Sequence, residues 1–126
     1  MRAFLLIAVG SALGGVARYW MSGWVAERGG ETFPWGTLTV NVVGSFVIGL
    51  LAAFEDSARV GLPPEARQFL MVGILGGFTT FSSFSLQTLR LMQDGDWLRA
   101  AGNVLLSVVV CLVAVAAGYR LARIAG

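Results

Sequence analysis

The sequence predicts an all-α membrane protein with four transmembrane helices and a break in the third. Three observations lead there. Hydrophobic residues make up 56% of the chain and charged residues 13%, against about 25% charged in soluble domains. Four long apolar segments follow one another, joined by short polar connections. Inside the third, residues 73–85 read Gly-Ile-Leu-Gly-Gly-Phe-Thr-Thr-Phe-Ser-Ser-Phe-Ser, which makes a poor lipid-facing helix.

With 126 residues and a mean hydropathy of +0.76, the chain accommodates four crossings, because about 20 residues span a hydrocarbon core about 30 Å thick. A single membrane domain over residues 1–126 is expected. The first span runs from Phe4 to Trp24. Its start resembles a secretory signal, with Arg2, an apolar run and then small residues. The apolar stretch continues through Tyr19, Trp20 and Met21 and three more spans follow, so a retained helix is expected. Gly10 and Gly14 form a GxxxG pair, which indicates close helix packing.

The second span runs from Trp35 to Phe54, the third from Phe69 to Leu91 and the fourth from Trp97 to Ile124. Pro34, Pro63 and Pro64 fall at the connections, where a missing backbone N–H does little harm. Trp20, Trp24, Trp35 and Trp97 stand near span ends, as interfacial anchors do.

All nine basic residues are arginine, scattered through a chain of net charge +2, so a nucleic-acid partner is not expected. Cys111 is the only cysteine and cannot form an internal disulfide. With no histidine and no metal-ligand cluster, the chain does not read as an enzyme. Membrane lipid is its surroundings. An even number of spans puts Arg2, Arg59, Arg67, Arg120 and Arg123 on one side, against Arg28, Arg90 and Arg99, or those three with Arg18. That bias is weak by the positive-inside rule. It allows one orientation, or insertion both ways and pairing with an inverted copy.

The seven carboxylates, Glu27, Glu31, Glu55, Asp56, Glu65, Asp94 and Asp96, all lie in connections or at span ends. Pumps typically keep an ionisable relay within the membrane, and cation channels often carry acid rings. A passive anion pathway fits better. Thr37, Asn41 and Ser45 are spaced four apart on one face of the second span, and Asn103, Ser107 and Cys111 repeat that spacing in the fourth. Such stripes either hydrogen-bond between helices or line a wet cavity.

The third span holds the most specific signal. Gly76 and Gly77 each weaken a helix by about 1 kcal/mol relative to alanine, and Thr79, Thr80, Ser82 and Ser83 offer hydroxyls to freed backbone. Phe78, Phe81 and Phe84 recur every three residues, so neighbours among them are expected to share a face. An aromatic ring has a positive edge, and ring edges can solvate a small anion. Arg18 lies about 21 Å along the first helix from Phe4 at 1.5 Å per residue. There it either supplies charge to an anion vestibule or fixes a helix end by hydrogen bonds.

Gly-Gly-Val-Ala-Arg-Tyr at 14–19, Trp-Gly-Thr-Leu-Thr-Val-Asn-Val-Val-Gly-Ser at 35–45 and Gly-Gly-Phe-Thr-Thr-Phe-Ser-Ser-Phe at 76–84 resemble the Fluc (CrcB) family of bacterial fluoride channels. The resemblance covers all four spans in order. It implies an antiparallel, dual-topology homodimer in the bacterial inner membrane, with two fluoride pores along the subunit interface. It implies passive fluoride export, which lowers fluoride toxicity. It further implies a structural sodium ion held by the backbone carbonyls of Gly76 and Thr79. The fluoride pathway maps to Asn41, Phe81 and Phe84, with Asn103 and Ser107 on the fourth helix. That helix departs from the family's tyrosine and hydroxyl pattern, and Cys111 is a weak donor. The alternative is a small dual-topology multidrug or guanidinium exporter. It requires a carboxylate in the first span, where this chain has Arg18 and no acid. An accessory membrane subunit is a third reading, but it leaves residues 76–84 unexplained.

Overall fold

Short connections, three of them closed by glycines in the left-handed region (Gly30, Gly61 and Gly95), link four helical spans in the computed structural model, which describes residues 1–126. There are no strands. Helix α1 covers Arg2–Gly29 and α2 covers Trp35–Glu55. The third span comprises α3 (Pro64–Arg67), a π-helical stretch (Gln68–Leu75), the single turn α4 (Gly76–Phe78) and α5 (Phe81–Gln93). Helix α6 covers Trp97–Ala125. All four spans are long and apolar enough to cross a membrane.

The first span extends past the expected Trp24 because Val25, Ala26, Glu27 and Arg28 sustain a helix, which stops at Gly29 and Gly30. Arg28 secures that end, with Nη1 donating to the Trp24 carbonyl at 3.1 Å and the guanidinium 3.9 Å from the Trp24 ring centre. A basic side chain there suits the negative end of the helix dipole. The third span begins at Pro64 rather than Phe69, since proline at the first helical position lacks only an N–H that would be unbonded anyway.

Two glycine seams hold the spans together. Gly10 and Gly14 of α1 lie against the π-helical stretch and α4; a methyl group on Gly10 would meet the Phe69 carbonyl oxygen at 2.6 Å, and one on Gly14 would strike that of Ile74. Gly49 of α2 abuts the Val115 backbone and Gly118 of α6 abuts the Phe46 backbone. Dispersion contacts at this range replace the hydrophobic drive that lipid does not supply. Only 19 of 126 residues are buried, so most large apolar side chains face outward, as lipid or a second subunit requires.

Thr79 and Thr80 interrupt the third span in extended conformation, with φ −85°, ψ 155° and φ −150°, ψ 120°. The interruption turns the chain and splits the phenylalanines. Phe78 is buried, whereas Phe81 is 79% exposed. Phe78 therefore does not share a face with Phe81, contrary to the three-residue spacing, because helical periodicity does not carry across two extended residues.

Candidate functional site

Where a continuous helix would bond the Thr80 N–H to the Gly76 carbonyl, that N–H instead donates to Asn41 Oδ1 at 2.8 Å. Asn41 Nδ2 in turn donates to the Thr80 carbonyl at 3.0 Å. One amide from α2 thus holds both polar groups of one residue at the break. Downstream, Thr80 caps α5: its Oγ1 accepts from the Ser83 N–H at 3.2 Å, as N-cap threonines do. Upstream, the Leu75 carbonyl accepts from both the Thr79 N–H at 3.0 Å and Thr79 Oγ1 at 2.9 Å.

The same exchanges leave two oxygens without their helical donors. Gly76 O loses the Thr80 N–H to Asn41, and Thr79 O loses the Ser83 N–H to the Thr80 hydroxyl. Neither carbonyl receives a replacement from Thr80 or Ser83. Free carbonyl oxygens suit a hard cation, and no cluster of three metal-ligating side chains competes for one. The residues present therefore fit the cation site expected at Gly76 and Thr79.

Beside the break lies an open groove of about 540 Å³. Asn41, Gly44 and Ser45 of α2 form one wall, and Ser107 and Cys111 of α6 another. Phe81 and Phe84 form a third, with ring centres 5.3 Å apart and planes tilted by 48°. Glycine at position 44 leaves room for the Thr79 side chain, whose Cγ2 a methyl group would strike. No carboxylate lines this groove.

Arg18 comes from the other side of the break, through Nε, which donates to the Gly77 carbonyl at 3.0 Å. It does not line the groove. A contact of this kind holds a helix end. Asn103 is also off the groove wall. It is 2% exposed, and its Nδ2 donates to Thr88 Oγ1 at 2.9 Å. Ser107 stands between, lining the groove while its Oγ donates to Asn103 Oδ1 at 3.4 Å.

A second hollow of about 470 Å³ opens near the Trp35 end of α2, lined among others by Ser22, Thr37, Gln87, Arg90 and Asp94. Gln87 Oε1 is buried without a partner. The Thr37–Asn41–Ser45 stripe therefore runs from this hollow, past the Asn41–Thr80 contact, into the groove. Thr88 and Gln87 escaped sequence reasoning. The one available cue for Gln87 was an amide placed inside an apolar span; Thr88 carries no cue, since its partner is 15 residues away.

A family model described as CrcB-like protein, Camphor Resistance (CrcB), matches residues 5–119. The chain belongs to the CrcB-like family. Similar CrcB-like relatives are each named Fluoride-specific ion channel FluC. One from Opitutus terrae is 59% identical over 120 residues, covering 94% of this chain and 91% of the relative. One from Paramagnetospirillum magneticum is 57% identical over 125 residues, covering 98% of each. One from Rhodospirillum rubrum is 55% identical over 117 residues, covering 92% and 91%. These relatives are ion channels, a class distinct from enzymes, and this CrcB-like chain is a multi-pass membrane protein by the length and composition of its helices.

Proposed function

We propose that this protein is a fluoride-selective channel that lets fluoride leave the cytoplasm passively and so lowers its toxicity. What carries the reading is the Phe81–Phe84 pair beside neutral donors in a groove without a carboxylate, in a chain 59% identical to a relative named for fluoride. A dehydrated small anion needs donors in place of its water shell. Asn41 keeps one Nδ2 hydrogen beyond the one given to Thr80, and the Ser107 hydroxyl and phenylalanine edges complete the set. The absence of an acid in the groove suits passive flow, because no carboxylate there can serve as a proton relay.

The working unit is an antiparallel homodimer of chains inserted in both orientations in the bacterial inner membrane. Two observations support it. The groove is open on one side, and Phe81 is left largely uncovered, so a second copy is needed to close a pathway. Gly76 and Thr79 offer two oxygens from one chain, fewer than the six or so that hard cations usually take. A sodium ion held by these carbonyls, with their counterparts in a second copy, supplies positive charge that satisfies the orphaned oxygens and ties the two breaks together. It is structural and not transported. Arg18 fixes the Gly77 end of the break beside it.

The test is efflux from liposomes containing the purified protein, recorded with a fluoride electrode, with a potassium ionophore to release the voltage and chloride as the control. Fast fluoride efflux with negligible chloride efflux is expected. Absence of fluoride efflux from folded protein would overturn the assignment.

A further inference from the structure

Three hydrogen bonds in series lead from the groove wall on α6 into the third span. Ser107 Oγ donates to Asn103 Oδ1 at 3.4 Å, Asn103 Nδ2 donates to Thr88 Oγ1 at 2.9 Å, and Thr88 Oγ1 donates to the Phe84 carbonyl at 2.8 Å. All three side chains are buried. The direction of the series follows from the inventory of protons. Thr88 has one hydroxyl hydrogen, committed to Phe84 O, so toward Asn103 it can only accept. That sets Asn103 with Nδ2 toward Thr88 and Oδ1 toward Ser107. The only donor then available to Oδ1 is the Ser107 hydroxyl.

Ser107 lines the groove, yet in this arrangement its proton points away from the groove and its lone pairs point in. An anion there meets the wrong face of the hydroxyl. Recruiting the proton means rotating it off Asn103 Oδ1 and leaving a buried carbonyl oxygen unpaired, which is unfavourable. The Ser107–Asn103 bond is the longest of the three and yields first. We propose that Asn103 and Thr88 are positioning residues that hold the Ser107 proton in reserve, so that only an anion of strong hydrogen-bond basicity draws it into the groove. This inference rests on the fluoride reading and deepens it: discrimination against chloride is set partly by two residues off the pathway.

The experiment compares fluoride and chloride efflux from liposomes for the unmodified protein and for Asn103→Leu, Thr88→Val and Thr88→Ser, each first shown by size exclusion to elute as the unmodified protein does. Asn103→Leu removes the acceptor outright. Thr88→Val removes the acceptor of Nδ2, so that the Asn103 amide turns over, offers Nδ2 to Ser107 Oγ and releases the hydroxyl proton. Either change is expected to raise chloride efflux by about tenfold or more, the factor set by the cost of leaving a buried polar group unpaired. Thr88→Ser keeps the hydroxyl and leaves the fluoride-to-chloride ratio unchanged. In a Ser107→Ala background, Asn103→Leu adds nothing. Damaged packing alone would change both effluxes together and would not depend on Ser107. Should Asn103→Leu fail to fold, Thr88→Val, a nearly isosteric change, carries the comparison. Chloride efflux unchanged in folded Thr88→Val, or a rise that persists without the Ser107 hydroxyl, overturns the proposal while leaving the fluoride reading intact. An unmodified protein that passes no fluoride overturns both.

Discussion

The amide of Asn41 makes both of its hydrogen bonds to one peptide unit pair, the N–H and C=O of Thr80, at 2.8 and 3.0 Å. The two residues are 39 apart in sequence. A break in a membrane helix is tolerated only where its backbone groups find partners, and here one side chain satisfies two of them. The same contact frees the Gly76 oxygen. Asn41 therefore shapes the break as well as the groove wall.

Asn41→Ala removes both bonds and leaves a part-buried N–H without its partner. Stability is expected to fall by about 2 kcal/mol, given about 1 kcal/mol per hydrogen bond with an added penalty for the unpaired donor. Thermal unfolding in detergent, read by circular dichroism, measures it. Asn41→Asp keeps an acceptor for the Thr80 N–H but offers no donor and adds negative charge, so fluoride efflux is expected to be lost even where folding survives.

Replacing Phe81 and Phe84 together by isoleucine preserves apolar bulk and removes the ring edges. Fluoride efflux is expected to drop at least about tenfold, which corresponds to about 1.4 kcal/mol at the barrier, with the elution volume unchanged. Undiminished efflux from an intact assembly would remove these rings from the pathway.

Extended dialysis against sodium-free buffer is expected to abolish fluoride efflux and to lower thermal stability, with both restored by sodium. The reason lies in the orphaned Gly76 and Thr79 carbonyls. Indifference to sodium in both measurements would show that these oxygens hold no such ion.

Gly14→Ala drives a methyl group into the Ile74 carbonyl, whereas at the neighbouring Gly15 nothing lies within 4 Å. Overpacking of this kind costs about 1–3 kcal/mol, and the Gly14 obstacle is backbone that cannot rotate away. Gly15→Ala is expected to be neutral or to stabilise α1 by up to about 1 kcal/mol through helix propensity. Parallel melting curves of the two variants test the seam.

Asp96 caps α6, with Oδ1 accepting the Arg99 N–H at 3.2 Å and Oδ2 accepting from Arg99 Nη1 at 2.7 Å. The Arg99 side chain, then the Arg99 N–H, hold this carboxyl below its ordinary 3.8. A carboxyl lowered in the folded state stabilises above its unfolded value, and that contribution is lost as pH falls through the folded one. Stability of the α6 start is therefore expected to decline only below about 3.8. Asp96→Asn, which still caps, should flatten that limb of a melting-temperature profile.

The four spans were legible because lipid imposes one simple demand on sequence, a long apolar run that satisfies its own backbone. The interruption in the third span was legible for the converse reason: paired glycines beside hydroxyls are unfit for lipid. The seam between the first and third spans followed equally from Gly10 and Gly14, whereas the one at Gly49 and Gly118 did not. Local composition carried each of these, with no knowledge of partners.

Which groups the polar residues meet was decided by tertiary structure alone. The stripe on α6 reads as three equivalent positions, yet Asn103 is buried against Thr88 while Ser107 and Cys111 face the groove. Phe78 has the spacing of Phe81 and Phe84 but the burial of a core residue, because the extended Thr79 and Thr80 reset the helix face. The π-helical turn at Gln68–Leu75 has no counterpart in hydropathy at all, since widening a helix alters hydrogen-bond partners and not composition. Apolar burial is additive and local, so sequence alone determined which segments cross the membrane. A hydrogen bond needs two groups within about 3 Å at a set angle, so only the packed helices decided which donor meets which oxygen.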